Sequence, residues 1–174
     1  LCTNCDIKII VISKIYRPYI LFNLILFFSF SISVNTIAGF EDLNLLFYIF
    51  FHLTFIYTLF YYYNYSIFIL ALFYGILFDI FLLNEISIHL IIFILLTLFY
   101  ILIKKYLILL SSFQVSMTIY ITLITILFFE LILSYFIASI NFNFVQMIKY
   151  ILLSTLIFIP SIYLFNKVII YMLF

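Results

Sequence analysis

Uncharged apolar runs constrain this chain more than any other feature. No Asp, Glu, Lys or Arg occurs between Arg17 and Glu41, or between Asp42 and Asp79. Of 174 residues, 70% are hydrophobic and 7% are charged, whereas about a quarter of the residues in a soluble domain are charged. A bilayer core offers no water to backbone N–H and C=O groups, so such runs must cross it as helices of about 20 residues. The sequence therefore predicts an all-α integral membrane protein.

Polar breaks divide residues 1–174 into six predicted spans within one membrane domain. The spans are 19–38, 45–62, 66–83, 86–103, 115–137 and 148–165. The segment 106–114 is expected either to lie along the membrane surface or to prolong the fourth helix. Pro160 is expected to kink the last span by removing a helical hydrogen bond, and Asn166 and Lys167 are expected to mark its far end. So little chain remains that we expect no soluble catalytic domain, nucleotide-binding fold or nucleic-acid-binding surface.

The basic residues predict the orientation of these spans. Lys149 is the only one on its side of the predicted membrane. The other six fall on the opposite side: Lys8, Lys14, Arg17, Lys104, Lys105 and Lys167. Short cytoplasmic loops retain an excess of Lys and Arg. The distribution therefore predicts that both termini are cytoplasmic and that the number of spans is even.

Four ionisable residues fall inside the predicted spans, all toward their outer ends: His52, Asp79, His89 and Glu130. Such groups cost several kcal/mol in a bilayer unless they are paired or line a cavity. Glu85 and Lys149 are expected near the same outer ends. Together these positions predict a buried polar cluster of His52, Glu85, Glu130 and Lys149. For His52 and Glu130 two interpretations stay open, since buried polar groups also serve simply to hold helices together.

Asp79 ends a row of small residues on one helix face. Ala71, Gly75 and Asp79 recur every four residues, so they share that face. Small residues allow close helix approach in membranes. We therefore predict a packing or partner-binding site formed by Ala71, Gly75 and Asp79 together with Ser87 and His89 of the following segment.

Other motifs give little sign of chemistry. Thr118, Thr122 and Thr125 share a face, where threonines commonly bond to their own i−4 carbonyl. Cys2 and Cys5 form a C-x-x-C pair without further candidate ligands nearby, and such a pair alone is weak evidence for metal or redox chemistry. We find no Ser-His-Asp order and no glycine-rich phosphate loop. The sequence therefore predicts no enzymatic activity, no metal and no cofactor.

The stretch from Ala71 to Leu90 reads A-L-F-Y-G-I-L-F-D-I-F-L-L-N-E-I-S-I-H-L. It resembles the signature hairpin of the rod shape-determining protein MreD family, which carries a Gly-x-x-x-Asp in one span, a short turn and a small residue before the next span. Gly75 and Asp79 take the family positions. Ser87 stands where the family usually has glycine, and Asn84 or Glu85 replaces a common small or polar turn residue.

The resemblance implies a bacterial inner-membrane protein of the cell-elongation complex, surrounded by membrane lipids. It implies as partners an MreC-like protein, MreB-like filaments and peptidoglycan synthases. It also implies a six-helix bundle similar to the substrate-binding S components of energy-coupling-factor vitamin transporters. That similarity supplies an alternative function, a small-molecule-binding transporter subunit. A third possibility is a lipid or ion carrier in which Asp79 and Glu130 are proton-coupled groups.

Overall fold

The structure, a computed structural model, describes residues 3–35, 41–83, 88–107, 109–137 and 144–173. Side chains are described from residue 18 onward, apart from those of 83, 146 and 169–173. Within these ranges all regular structure is helical. The elements are α1 (Thr3–Val34), α2 (Glu41–Tyr62), α3 (Tyr65–Phe78), a π-helical segment (Asp79–Leu83), α4 (Ile88–Leu107), α5 (Ser112–Ile137) and α6 (Phe144–Leu173).

Five stretches of helix are long and apolar enough to cross a membrane. They are Glu41–Tyr62, Tyr65–Leu82, Ile88–Leu107, Ser112–Ile137 and Met147–Val168. The apolar part of α1 among the described side chains, Pro18–Val34, is shorter than these. Large apolar side chains cover the outside of the bundle, as an all-helical multi-pass membrane protein requires, and Leu102, Phe136 and Ile159 are 70% or more exposed. The prediction of an all-α membrane protein is confirmed at this level.

Helix α2 forms the centre of the bundle. It packs against α1, α4, α5 and α6, and the Phe51 ring meets the rings of Tyr74 and Phe78 on α3 at 5.0 and 4.8 Å. Every side chain from Phe51 to Leu59 is buried. A polar side chain between Phe51 and Leu59 is therefore surrounded by other helices, whichever way it points.

Local capping explains where several helices begin. The Tyr65 N–H donates to the Asn64 side chain at 2.7 Å, so α3 starts after only two intervening residues. Before α5, the Ser111 N–H donates to Gln114 Oε1 at 2.9 Å and the Gln114 N–H donates to Ser111 Oγ at 3.4 Å. This reciprocal pair is a capping box. It starts a new helix at Ser112, so residues 106–107 belong to α4 and residues 112–114 belong to α5.

Helices α2 and α6 extend beyond the predicted spans. Helix α2 begins at Glu41 because the acidic pair Glu41 and Asp42 suits the positive end of a helix. Helix α6 passes Asn166 and continues to Leu173, so the helix extends beyond the predicted span. The Asn166 side chain accepts a 2.8 Å hydrogen bond from the Tyr57 hydroxyl. Pro160 lies within this continuous helix.

Candidate functional site

Four buried side chains and the half-buried Tyr48 meet where α2 and α4 begin and α5 approaches its end. We call this set the polar network: Tyr48 and His52 on α2, Asp79 at the start of the π-helical segment, His89 on α4 and Glu130 on α5. Asp79 and His52 are fully buried, and Glu130 and His89 are only 7% and 6% exposed. The polar network therefore ties four helical elements together inside an apolar bundle.

Asp79 caps α4 from the preceding helix. One carboxylate oxygen, Oδ1, accepts the His89 backbone N–H at 2.8 Å, and Oδ2 accepts the Leu90 N–H at 3.1 Å. Both belong to the first turn of α4, whose N–H groups have no partner within their own helix. A negative charge is also favoured at this end of a helix. His89 Nδ1 lies a further 2.8 Å from Asp79 Oδ1.

Gly75 brings these two helices close enough for that cap to form. A Cβ atom placed on Gly75 would lie 2.8 Å from Leu90 Cα and 3.2 Å from Leu90 N. Both contacts are with backbone, which cannot rotate away as a flexible side chain can. Ala71, one turn earlier, is fully buried as well. Gly75 lies one helical turn before Asp79. A backbone contact with α4 that leaves no room for a side chain is therefore one turn away from the carboxylate that caps α4.

Tyr48 links the two acid–histidine pairs. Its hydroxyl donates to Glu130 Oε2 at 2.7 Å and lies 3.0 Å from His89 Nε2. His52 Nδ1 lies 2.9 Å from the Tyr48 carbonyl oxygen. His52 Nε2 is 2.9 Å from Glu130 Oε1, an ion-pair distance, although neither of these atoms has a partner in hydrogen-bond geometry. The contacts form one continuous path from Asp79 to His52.

Aromatic rings enclose the polar network. The His89 ring stacks on Phe78 at 5.5 Å, and the His52 ring stacks on Phe93 at 5.4 Å. Tyr48 meets Phe78 edge-on at the same distance of 5.5 Å. These rings exclude water, and hydrogen bonds and charge interactions are stronger in such a low-dielectric setting.

The structure separates Lys149 from the residues with which the sequence grouped it. Its ammonium pairs with Asp42, and the two side chains are 47% and 76% exposed. A long lysine side chain keeps its charged end at the surface where it can, so Lys149 is not part of a buried cluster. Glu85 and Ser87 lie outside the described residues, as does Cys2, and the side chain of Cys5 is likewise not described.

The threonines of α5 line an apolar groove between α4 and α5, which we call the α4–α5 groove. The hydroxyls of Thr118, Thr122 and Thr125 donate to carbonyls four residues earlier at 2.7 to 2.8 Å, so the prediction of self-bonded threonines is confirmed. The groove encloses about 300 Å³. Its other walls are Ile92, Leu95, Leu96, Phe99, Ile121, Ile126 and Phe129.

Sequence reasoning missed Tyr48, the residue at the centre of the polar network. Tyr48 and His52 are four residues apart on α2 and therefore share a face, a signal that could have included the tyrosine. The π-helical segment also went unpredicted, and its sequence D-I-F-L-L carries no signal for it. Among the described side chains, no three of His, Cys, Asp and Glu are placed to hold a metal ion.

The polar network thus has a defined geometry: a carboxylate capping a helix, two acid–histidine pairs and a bridging tyrosine. Its arrangement can hold helices in register and can bind protons. Comparison of the whole chain with models of known protein families, with curated proteins and with solved structures finds no match.

Proposed function

We propose that this chain is a non-catalytic component of the bacterial inner membrane that supports lateral peptidoglycan synthesis by binding an MreC-like protein. MreB-like filaments and peptidoglycan synthases are further partners in this proposal. The support is the Gly75 and Asp79 pattern and the geometry found there. Glycine permits backbone contact with α4, and the aspartate caps that helix. A scaffold needs such a rigid unit more than it needs an open site.

The burial pattern fits this role. The hydrogen bonds of the polar network run mainly between helices. The described outward faces of the α3–α4 hairpin (Tyr65–Leu83 and Ile88–Leu107) are apolar up to Lys104 and Lys105 at the end of α4. Ile69, Phe73 and Phe81 on these faces are 66%, 52% and 58% exposed. Partners in a bilayer associate through shape and packing rather than through a hydrophobic effect. A hairpin of fixed shape is therefore a suitable surface for a membrane partner.

Partner capture from this face tests the proposal. A photo-crosslinking amino acid at Phe73 should capture an MreC-like protein in native membranes, because Phe73 lies on the exposed side of α3. The matched control places the same probe at Ile159, which is 70% exposed on α6. Capture from both positions alike, or of a transporter ATPase pair from Phe73, would contradict the proposal.

We further propose six spans with both termini in the cytoplasm. Helix α1 has 32 residues, or about 48 Å at 1.5 Å per residue, which is enough to cross a bilayer. In alternating helices, the six basic residues named above fall at one end of the bundle and Lys149 at the other. A cytoplasmic reporter fused after Phe174 should be active. The same reporter inserted at residues 141–143 should be inactive, and the reverse pattern would exclude this topology.

The α4–α5 groove favours one second candidate, a small-molecule-binding subunit similar to an S component. Its volume of about 300 Å³ is at the lower limit of small-molecule sites. Its walls are apolar apart from the three self-bonded threonines, however, and Ile121 and Leu95 are 63% and 46% exposed. Saturable binding of a vitamin by the purified protein would favour this candidate over the scaffold.

A further inference from the structure

The contacts of the polar network allow its protons to be counted. Five short contacts join its polar atoms: His52 to the Tyr48 carbonyl, His52 to Glu130, Glu130 to the Tyr48 hydroxyl, that hydroxyl to His89, and His89 to Asp79. Each measures 3.0 Å or less. Lone pairs repel at that distance, so each of the four hydrogen bonds requires one proton between its two heavy atoms. The His52–Glu130 contact is an ion pair outside hydrogen-bond geometry, and it requires a proton on one of its two atoms.

The directions follow from the Tyr48 carbonyl, which can only accept. His52 Nδ1 must therefore carry a proton. We place a second proton on His52 Nε2, because an imidazolium facing Glu130 Oε1 gives this ion pair its two charges. If the Tyr48 hydroxyl donates to Glu130, its oxygen must accept from His89 Nε2. His89 Nδ1 then donates to Asp79. In this arrangement both histidines are imidazolium ions and both acids are carboxylates.

A second arrangement keeps every contact and the same number of protons. The Glu130 carboxyl proton lies toward the Tyr48 oxygen, and the Tyr48 hydroxyl proton points to His89 Nε2. Glu130 is then a neutral acid and His89 is neutral with its proton on Nδ1. Converting this arrangement to the first moves one proton from Glu130 to the Tyr48 oxygen while the Tyr48 proton moves to His89. Tyr48 keeps one proton throughout.

Both arrangements have zero net charge, because the positive histidines and negative acids are equal in number in each. A charge left unpaired in an apolar interior is expensive, so the polar network resists gaining or losing a proton. Beyond its own members, Tyr150 on α6 also interacts electrostatically with Tyr48. Lys149 and Asp42 are engaged with each other at the exposed rim.

We propose that the polar network is an internal proton relay: it holds five protons and exchanges one between Glu130 and His89 through the Tyr48 hydroxyl. This activity is additional to the proposed partner binding and does not depend on it. It would couple the charge on α5 to the charge on α4, because the moving proton leaves a carboxylate on one helix and an imidazolium on the other.

Nitrogen NMR of histidine-labelled protein in lipid bilayers tests the relay. The chain has two histidines, so a His52→Gln variant assigns both ring signals. In the wild type, His89 Nδ1 should be protonated and Nε2 should be protonated or averaged between its two states. Glu130→Gln preserves the side-chain shape but cannot release a proton, so His89 should become fixed as the neutral form with its proton on Nδ1.

Tyr48→Phe is the second test variant, since it removes only the bridging hydroxyl and should abolish averaging at His89 Nε2. Tyr74→Phe is the matched control, because Tyr74 is a buried tyrosine outside the polar network. It should leave both histidine signals unchanged. A wild-type His89 protonated on Nε2 alone, or a His89 signal that is the same in wild type, Glu130→Gln and Tyr48→Phe, would overturn the relay.

Discussion

Gly75→Leu is expected to lower the stability of this protein more than any other single change on α3. Even the Cβ atom would lie 2.8 Å from Leu90 Cα, so α3 and α4 must separate. Overpacking a tight contact typically costs about 1–3 kcal/mol, and leucine adds three further carbons at the same point. Thermal unfolding of the purified protein measures this, and the midpoint should fall sharply.

Two further variants serve as comparisons for Gly75→Leu. Gly75→Ala adds only the clashing Cβ and should lie between wild type and Gly75→Leu. Ile76→Leu changes the neighbouring residue, which faces outward at 36% exposure, and should leave the midpoint unchanged. If Gly75→Leu unfolds at the same temperature as Ile76→Leu, the close contact with α4 does not exist in the membrane protein.

Asp79→Leu is expected to have the second largest effect. The change removes the acceptor for the His89 and Leu90 N–H groups and for the His89 ring. Each buried donor left unsatisfied costs about 1–3 kcal/mol. Leucine is apolar, so insertion into the membrane should be unaffected and membrane abundance should stay near that of the wild type. The loss should appear as a lower unfolding midpoint.

Asp79→Asn separates the cap from the charge. Its amide oxygen can still accept one or two of the three donors, but the negative charge opposite His89 and the α4 N-terminus is gone. We expect a midpoint between those of wild type and Asp79→Leu. An asparagine variant as unstable as the leucine variant would assign the effect to the charge, whereas equal midpoints for all three would remove Asp79 from the cap.

The sequence was sufficient to predict the helices because apolar length and polar breaks are local properties. It also placed Ala71, Gly75 and Asp79 on one face, since helical periodicity depends only on spacing. It could not show that Asp79 would meet α4 N–H groups, because that contact depends on how the two helices meet in three dimensions. Tyr48 was missed since tyrosines are abundant here, 16 in all, and spacing alone does not distinguish a bridging tyrosine from a lipid-facing one.

The error at Lys149 has a similar origin. Its position along the chain places it at the same end of the bundle as Glu130, but whether it turns inward depends on its partner. Asp42, in the first turn of α2, provides one at the surface. Sequence position predicts the level of a residue in the bundle better than the direction of its side chain.

The most direct test asks whether partner binding depends on the geometry of the α3–α4 hairpin. It compares partner capture by the Phe73 probe in four backgrounds at matched membrane abundance. The backgrounds are wild type, Ile76→Leu, Gly75→Leu and Asp79→Leu. Capture of an MreC-like protein should be equal in the first two and strongly reduced in the last two, because only those variants separate α3 from α4 or remove the cap. Undiminished capture in both Gly75→Leu and Asp79→Leu would show that partner binding does not depend on this hairpin.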